Sequence, residues 1–215
     1  MYHFFAMLSR MKYVNRWGLM RNTRSENLSE HSLETAIVAH ALAVIGNVRF
    51  GKSYDPDRAA ALALLHDAPE VITGDMPTPV KYHSEEIRSA YAEVEDLALE
   101  RLLSLLPEEL RPYYRELMTQ SAPGDGELRP LVKAADRISA VIKCMEERLS
   151  GNQDFREAER SNMKLLKDMA LPEAEYFMSQ FLPSYGLTPD EQNYSSTAGV
   201  KMSGDSQMFF SGALK

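Results

Sequence analysis

The chain has 215 residues, 44% of them hydrophobic and 26% charged, and a net charge of −7 with its five histidines neutral. That is the size of one ordinary globular domain with room for a tail. The charged fraction, with only 11 Gly and 11 Pro, excludes collagen, wholesale disorder and a disulfide scaffold, and Cys144, the single cysteine, can form no bridge within the chain. No paired cysteines and no basic, apolar leader are seen, so the chain is expected in the cytoplasm. No uninterrupted apolar run approaches the roughly 18 residues of a membrane span, so no membrane association is expected. The acidic balance argues against a nucleic-acid partner but leaves a small phosphorylated ligand open.

Hydrophobic residues recur at helical spacing almost throughout, with no convincing period-two run, so the fold class is all-α. Tyr2 to Lys12 reads as a short amphipathic helix. Asn15 to Leu28 reads as an irregular connection containing Trp17 and Gly18. Met1 to Ser25 carries Arg10, Lys12, Arg16, Arg21 and Arg24 and no acidic residue, which marks either a solvated basic face or an anion-attracting one. A second helix is expected from an N-cap at Ser29 to Gly46-Asn47, with Leu33, Ile37, Ala41 and Val44 as its inner stripe. Asp55-Pro56 opens an Ala/Leu-rich helix running to about Asp67. A loop stiffened by Gly74, Pro77 and Pro79 follows. A long helix from Ser84, with Ile87, Tyr91, Val94, Ala98, Leu102 and Leu105 facing inward, ends before Pro107. A shorter one spans Glu108 to Met118. The next, Leu128 to Leu149, packs through Leu131, Ala135, Ile138, Ile142 and Met145, and one or two helices lie between Phe155 and Phe181. Periodicity fades beyond Pro183, so residues 1–187 read as one domain and 188–215 as a weakly ordered tail. The tail's Met208-Phe209-Phe210 is a candidate docking segment.

His66-Asp67 stands at the end of an Ala/Leu helix, where an unpaired carboxylate and imidazole would cost several kcal/mol if buried. Either the two pair with each other and the backbone, or they share a metal. His31 falls in the first turn of its helix and Asp136 within an apolar stripe. Two histidines and two aspartates thus arrive from separate helices. His40 lies half a turn out of phase with His31, and His3 and His83 read as solvent-facing.

The ordered set His31, His66-Asp67 and Asp136 resembles the H…HD…D pattern of the HD-domain metal-dependent phosphohydrolases. The closer similarity is to the bacterial 5'-deoxynucleotidases of that superfamily. It is carried by Asn15-Arg16-Trp17-Gly18-Leu19-Met20-Arg21-Asn22, Ser29-Glu30-His31-Ser32, Leu65-His66-Asp67-Ala68-Pro69-Glu70, Gly74-Asp75-Met76-Pro77-Thr78-Pro79-Val80-Lys81-Tyr82 and Lys133-Ala134-Ala135-Asp136, over about residues 4–187.

The resemblance implies an HD-domain helical bundle in which His31, His66, Asp67 and Asp136 bind one divalent cation. Two imidazoles and two carboxylates suit Co²⁺, Mn²⁺, Zn²⁺ or Fe²⁺ better than Mg²⁺. It implies a deoxynucleotide substrate touched by Arg16, Trp17, His31, Asp67, Asp75, Met76, Pro77, Thr78 and Asp136, with Glu70, Arg16 and Asp75 as catalytic residues. Arg16 would orient the phosphate. Trp17 would wall the sugar pocket against a 2'-hydroxyl, though on its own it also reads as a core residue. Glu70 would orient or deprotonate water. Asp75 would accept from the sugar 3'-hydroxyl or assist the leaving 5'-oxygen, and Lys81 is a lesser phosphate candidate. A homodimer is expected by the same similarity. The rival readings are an HD-type hydrolase of nucleoside triphosphates or alarmone nucleotides, and a non-catalytic helical nucleotide-binding protein.

Overall fold

The computed structural model describes residues 1–81 and 83–195. Eleven α-helices order the described chain: α1 (Phe4–Leu8), α2 (Leu28–Phe50), α3 (Pro56–Leu64), α4 (Glu70–Thr73), α5 (Thr78–Lys81), α6 (Glu85–Ser104), α7 (Arg111–Thr119), α8 (Asp125–Leu149), α9 (Arg156–Asp168), α10 (Pro172–Gln180) and α11 (Pro189–Ser195). Tight 3₁₀ turns cover Ser9–Tyr13, Glu108–Leu110 and Leu182–Gly186. No strand occurs among the described residues, and the only extended pairing there is the isolated antiparallel bridge Asn15–Asn27. The expected first helix is therefore split, and α11 occupies the beginning of the stretch read as a weakly ordered tail. Met208, Phe209 and Phe210 lie outside the described residues.

Local chemistry explains the boundaries. Asn27, not Ser29, caps α2: its side chain accepts from the Ser29 and Glu30 amides while Glu30 reaches back to the Asn27 amide. The helix runs past Gly46 and stops at Gly51, whose φ of 64° gives the left-handed exit. Gly46 is retained inside α2 for a different reason: an added Cβ would lie 2.7 Å from the Tyr54 ring. Asp55 caps α3 ahead of Pro56, and Ser84 caps α6.

Two apolar clusters result. The larger joins α2, α3, α8, α9 and α10 through residues such as Val38, Leu42, Leu62, Leu131, Ile138, Ile142, Leu166 and Phe177. The smaller gathers Phe4, Ala68, Leu99, Leu102, Leu103, Leu106 and Met118. Because Ala63 belongs to the first and Ala68 to the second, the turn carrying His66 and Asp67 is held from both sides.

The inward face of α2 differs from the sequence expectation. Leu33 and Ile37 are 58% and 61% exposed, and Val44 is exposed as well. His31, Thr35, Val38, Ala39, Leu42 and Ala43 point inward instead. The small side chains let α3 and α8 pack closely, which leaves the larger ones outside. Helix α2 is also long and apolar enough, by length and composition, to cross a membrane, contrary to the expectation drawn from uninterrupted apolar runs. It is the central core helix, packed on α3, α8 and α10. On α6, Ile87 and Val94 are exposed while Tyr91, Ala98 and Leu102 are buried as expected. The α8 stripe Leu131, Ala135, Ile138 and Ile142 is buried.

Candidate metal centre and phosphate site

Four donors converge where α2, the α3–α4 turn and α8 meet. His31 Nε2 lies 3.4 Å from Asp67 Oδ2 and 3.3 Å from Asp136 Oδ1. His66 Nε2 lies 3.1 Å and 4.0 Å from the same two oxygens. The sequence put His66 and Asp67 at the end of a helix; they instead lie in the turn after α3, and only there can both side chains reach the same point.

The histidines are arranged as ligands. His66 Nδ1 is 2.6 Å from the Ala63 carbonyl, an acceptor only, so Nδ1 carries a proton, and in the neutral ring the lone pair is on Nε2. That buried Nε2 has no hydrogen-bond partner although a carboxylate oxygen lies 3.1 Å away. Nitrogen and oxygen are aimed at a common point rather than at each other. His31, His66 and Asp67 each bring a ligand atom within 4.8 Å of the others, and Asp136 faces the same group. A borderline divalent cation fits this donor set.

The electrostatics agree. Burial works against charge on Asp67 and Asp136, yet the neighbouring His66 and His31 hold Asp67 well below the usual carboxylate range and also lower Asp136. Burial likewise opposes a charged His66, but Asp67 and Asp136 outweigh it and raise its pKa to about 9. A cluster that holds a proton so firmly without metal offers the same negative field to a cation.

Beside the donors, the Asn15–Asn27 segment carries Arg16 and Trp17. Arg16 Nε and Nη1 are buried and without hydrogen-bond partners; Glu26 is 3.8 Å from Nη1. Burial opposes the guanidinium's charge, but Glu26, Asp136, Asp67 and Asp75 overcome this and raise its pKa. Trp17 has a φ of 61°, a left-handed conformation that costs a bulky residue of order 1–3 kcal/mol. Three contacts hold it there. Its amide donates to Asp75 Oδ2 at 3.1 Å, its indole Nε1 donates to Glu26 Oε2 at 2.7 Å, and its ring packs on Phe155 at 5.3 Å. Asp75 therefore clamps the loop that bears Arg16 and Trp17, in addition to any role toward substrate.

Glu70, in the first turn of α4, has a buried Oε2 with no partner. Burial and the charges of Asp67 and Asp75 push its pKa up to about 9, against the pull of Arg16 and Lys81. Lys81 Nζ lies 2.7 Å from Glu95 and 5.0 Å from the Tyr91 ring centroid. Met76 and Pro77 are half-buried between α4 and α5; the Thr78 side chain and Tyr82 lie outside the described residues. His40 faces Asp57 at 3.7 Å, away from the donors.

Residues the sequence reading passed over also build the site. Glu26, the first acidic residue after the acid-free basic run, bonds the Trp17 indole; its place in the sequence was a usable signal. Glu147 accepts from the Thr23 amide and hydroxyl, Asn152 and Lys143, tying the basic segment to α8. Nothing in the local sequence announces so distant a pairing.

The fold is that of the HD-domain phosphohydrolases. The described chain superposes on such a protein from Listeria innocua with a TM-score of 0.73 at 22% identity, covering 89% of this chain and 92% of that one. A cyanophage S-2L HD phosphohydrolase, described as bound to dA and one catalytic Zn²⁺ ion, superposes with a TM-score of 0.62 at 22% identity, covering 85% and 96%. Within that class, residues 3–185 match the family model "5'-deoxynucleotidase YfbR-like". Proteins named 5'-deoxynucleotidase from Erwinia tasmaniensis and Yersinia pestis are each 47% identical, covering 90% and 91% of this chain and 98% and 99% of their own length. The chain belongs to the YfbR-like 5'-deoxynucleotidase family.

Proposed function

We infer that this chain is a metal-dependent 5'-deoxynucleotidase, hydrolysing deoxyribonucleoside 5'-monophosphates to deoxynucleoside and phosphate. The carrying observation is the convergence of His31, His66, Asp67 and Asp136 beside a buried guanidinium with unpaired donors. His31, His66, Asp67 and Asp136 would hold one divalent cation, Co²⁺, Mn²⁺, Zn²⁺ or Fe²⁺ in preference to Mg²⁺. When bound, the cation supplies Lewis acidity and positive charge at the phosphoryl group.

The remaining steps belong to the protein. Arg16 donates its free Nε–H and Nη1–H to phosphate oxygens, which ends their lack of partners. Trp17, held by Asp75 and Glu26, walls the sugar site against a 2'-hydroxyl, with Met76 and Pro77 completing the wall. Glu70, whose carboxyl is shifted by burial toward the protonated form, can pass a proton to the departing 5'-oxygen. Once ionised, it can take one from water, the role read from the sequence. Asp75 keeps Oδ1 for the sugar 3'-hydroxyl or the leaving oxygen. The test is phosphate release from dAMP or dTMP with added Co²⁺ or Mn²⁺. Asp67→Ala should abolish release, and robust turnover by that variant would discard the assignment.

Three further assignments accompany this reading. Residues 1–187 form the catalytic unit and 188–215 an appendage, supported by the family match ending at residue 185. The buried free thiol of Cys144 supports a cytoplasmic setting. Exposed Leu33, Ile37, Val44 and Val48 form one row along α2 and support a homodimer. In sedimentation, the parent chain should run as a dimer and Ile37→Glu as a monomer.

A further inference from the structure

Behind the metal donors lies a polar connection that the reaction does not obviously require. Ser139 is fully buried on the α8 face that otherwise packs the core, and His31 is fully buried on α2. Ser139 Oγ donates to Glu34 Oε2 at 2.6 Å, and His31 Nδ1 lies 3.1 Å from Ser139 Oγ. A serine hydroxyl has a single proton. With that proton given to Glu34, the Ser139 oxygen can only accept from His31, so Nδ1 carries the hydrogen and Nε2 is left with its lone pair. On its own, the Nε2 side would favour the opposite arrangement: Asp67 and Asp136 oxygens lie 3.4 and 3.3 Å away and would welcome an N–H. An Nε2–H tautomer cannot ligate a cation through that nitrogen.

We propose that Ser139 and Glu34 are positioning residues that fix His31 in the Nδ1–H tautomer, keeping its Nε2 available to the cation. Ala63 does the same for His66 with a backbone carbonyl. The two imidazoles thus have different guarantors: one is main chain and beyond the reach of a side-chain substitution, the other is a serine and a glutamate. Outer partners of this kind commonly change metal affinity by 10- to 100-fold. The pair also fixes the α2–α8 contact at the level of the site, since Glu34 and His31 lie one helical turn apart on α2 and meet at Ser139 from the same side.

The proposal rests on His31 being a metal ligand, so the experiment separates the two. The dissociation constants of Mn²⁺ and Zn²⁺ are measured by chelator competition for the parent, His31→Ala, Ser139→Ala and Glu34→Gln, with circular dichroism as the check on folding. Ser139→Ala should fold and bind each metal about 10- to 100-fold more weakly, and Glu34→Gln should shift in the same direction. Nitrogen-15 NMR of the Zn²⁺-loaded parent should find His31 bound through Nε2 with its proton on Nδ1, with this signature weakened in Ser139→Ala. Weak binding by His31→Ala together with parent-like affinity in Ser139→Ala overturns this proposal alone. Unchanged affinity in His31→Ala overturns both readings, and a proton on Nε2 of the Zn²⁺-loaded parent overturns the tautomer argument directly.

Discussion

Trp17 shows how a single residue combines strain and recognition. Its left-handed backbone is supported by Asp75, Glu26 and Phe155 from three different stretches of chain, so the indole has little freedom to make room for an additional oxygen. On the proposed function, selectivity for deoxyribose would be a packing effect. dAMP should be hydrolysed much faster than AMP, and Trp17→Ala should narrow the ratio of their kcat/KM values; equal rates in the parent would remove this role. Glu26→Gln tests the support rather than the wall. It keeps the shape but weakens the bond to the indole, so it should reduce the same ratio by a smaller factor, while a larger effect than Trp17→Ala would reverse the assignment. The candidate donors His66-Asp67 and Asp136 drew notice in the sequence because polar groups are unusual in apolar helices, whereas the roles expected of Arg16 and Trp17 came from the family resemblance. Asp75 was legible only in part: its carboxylate was visible, its bond to the Trp17 amide was not, because a contact between loops leaves no periodic trace.

At the scale of elements, α8 and α2 differ in what their sequences reveal. Helix α8 carries Glu127, Arg129 and Lys133 on its outer side, so its apolar stripe selects one face and the expected core residues are buried, Met145 only partly. Helix α2 is apolar nearly all round, and of the stripe that periodicity selects, Leu33, Ile37 and Val44 face outward while Ala41 packs partly against the core. Its buried face is distinguished by small and polar residues serving the site, which hydrophobicity cannot rank. The link between the basic segment and α8 makes a pH prediction. Burial alone would raise Glu147, but Lys143, the Thr23 amide and hydroxyl and Asn152 outweigh it and bring its pKa to about 2, from an ordinary 4.5. A group depressed in the folded state stabilises fully above its unfolded pKa and loses that contribution as pH falls through the folded one. The difference in urea midpoint between the parent and Glu147→Gln should therefore be full at pH 6, shrink below about pH 4.5 and disappear near pH 2. A difference independent of pH would exclude the ion pair as its source.

For the whole molecule, the two apolar clusters meet at the turn between Ala63 and Ala68, and the candidate metal donors come from that turn and from α2 and α8. A cation that binds only the folded chain adds RT ln(1 + [M]/Kd), about 2.7 kcal/mol at a hundredfold excess over Kd. For a chain of this length that corresponds to roughly 5–10 °C in Tm. Addition of Mn²⁺ to chelator-treated protein should raise Tm by that order in the parent and leave Asp67→Ala unmoved; an equal rise in both would indicate binding elsewhere. The same arrangement answers a lack noted in the composition. A protein whose single cysteine is buried has no covalent means of fastening distant parts of its chain. Here the first turns of α2, the turn after α3 and the middle of α8 would be fastened by one ion, a clasp that can be opened by a chelator and closed again without any change of redox state.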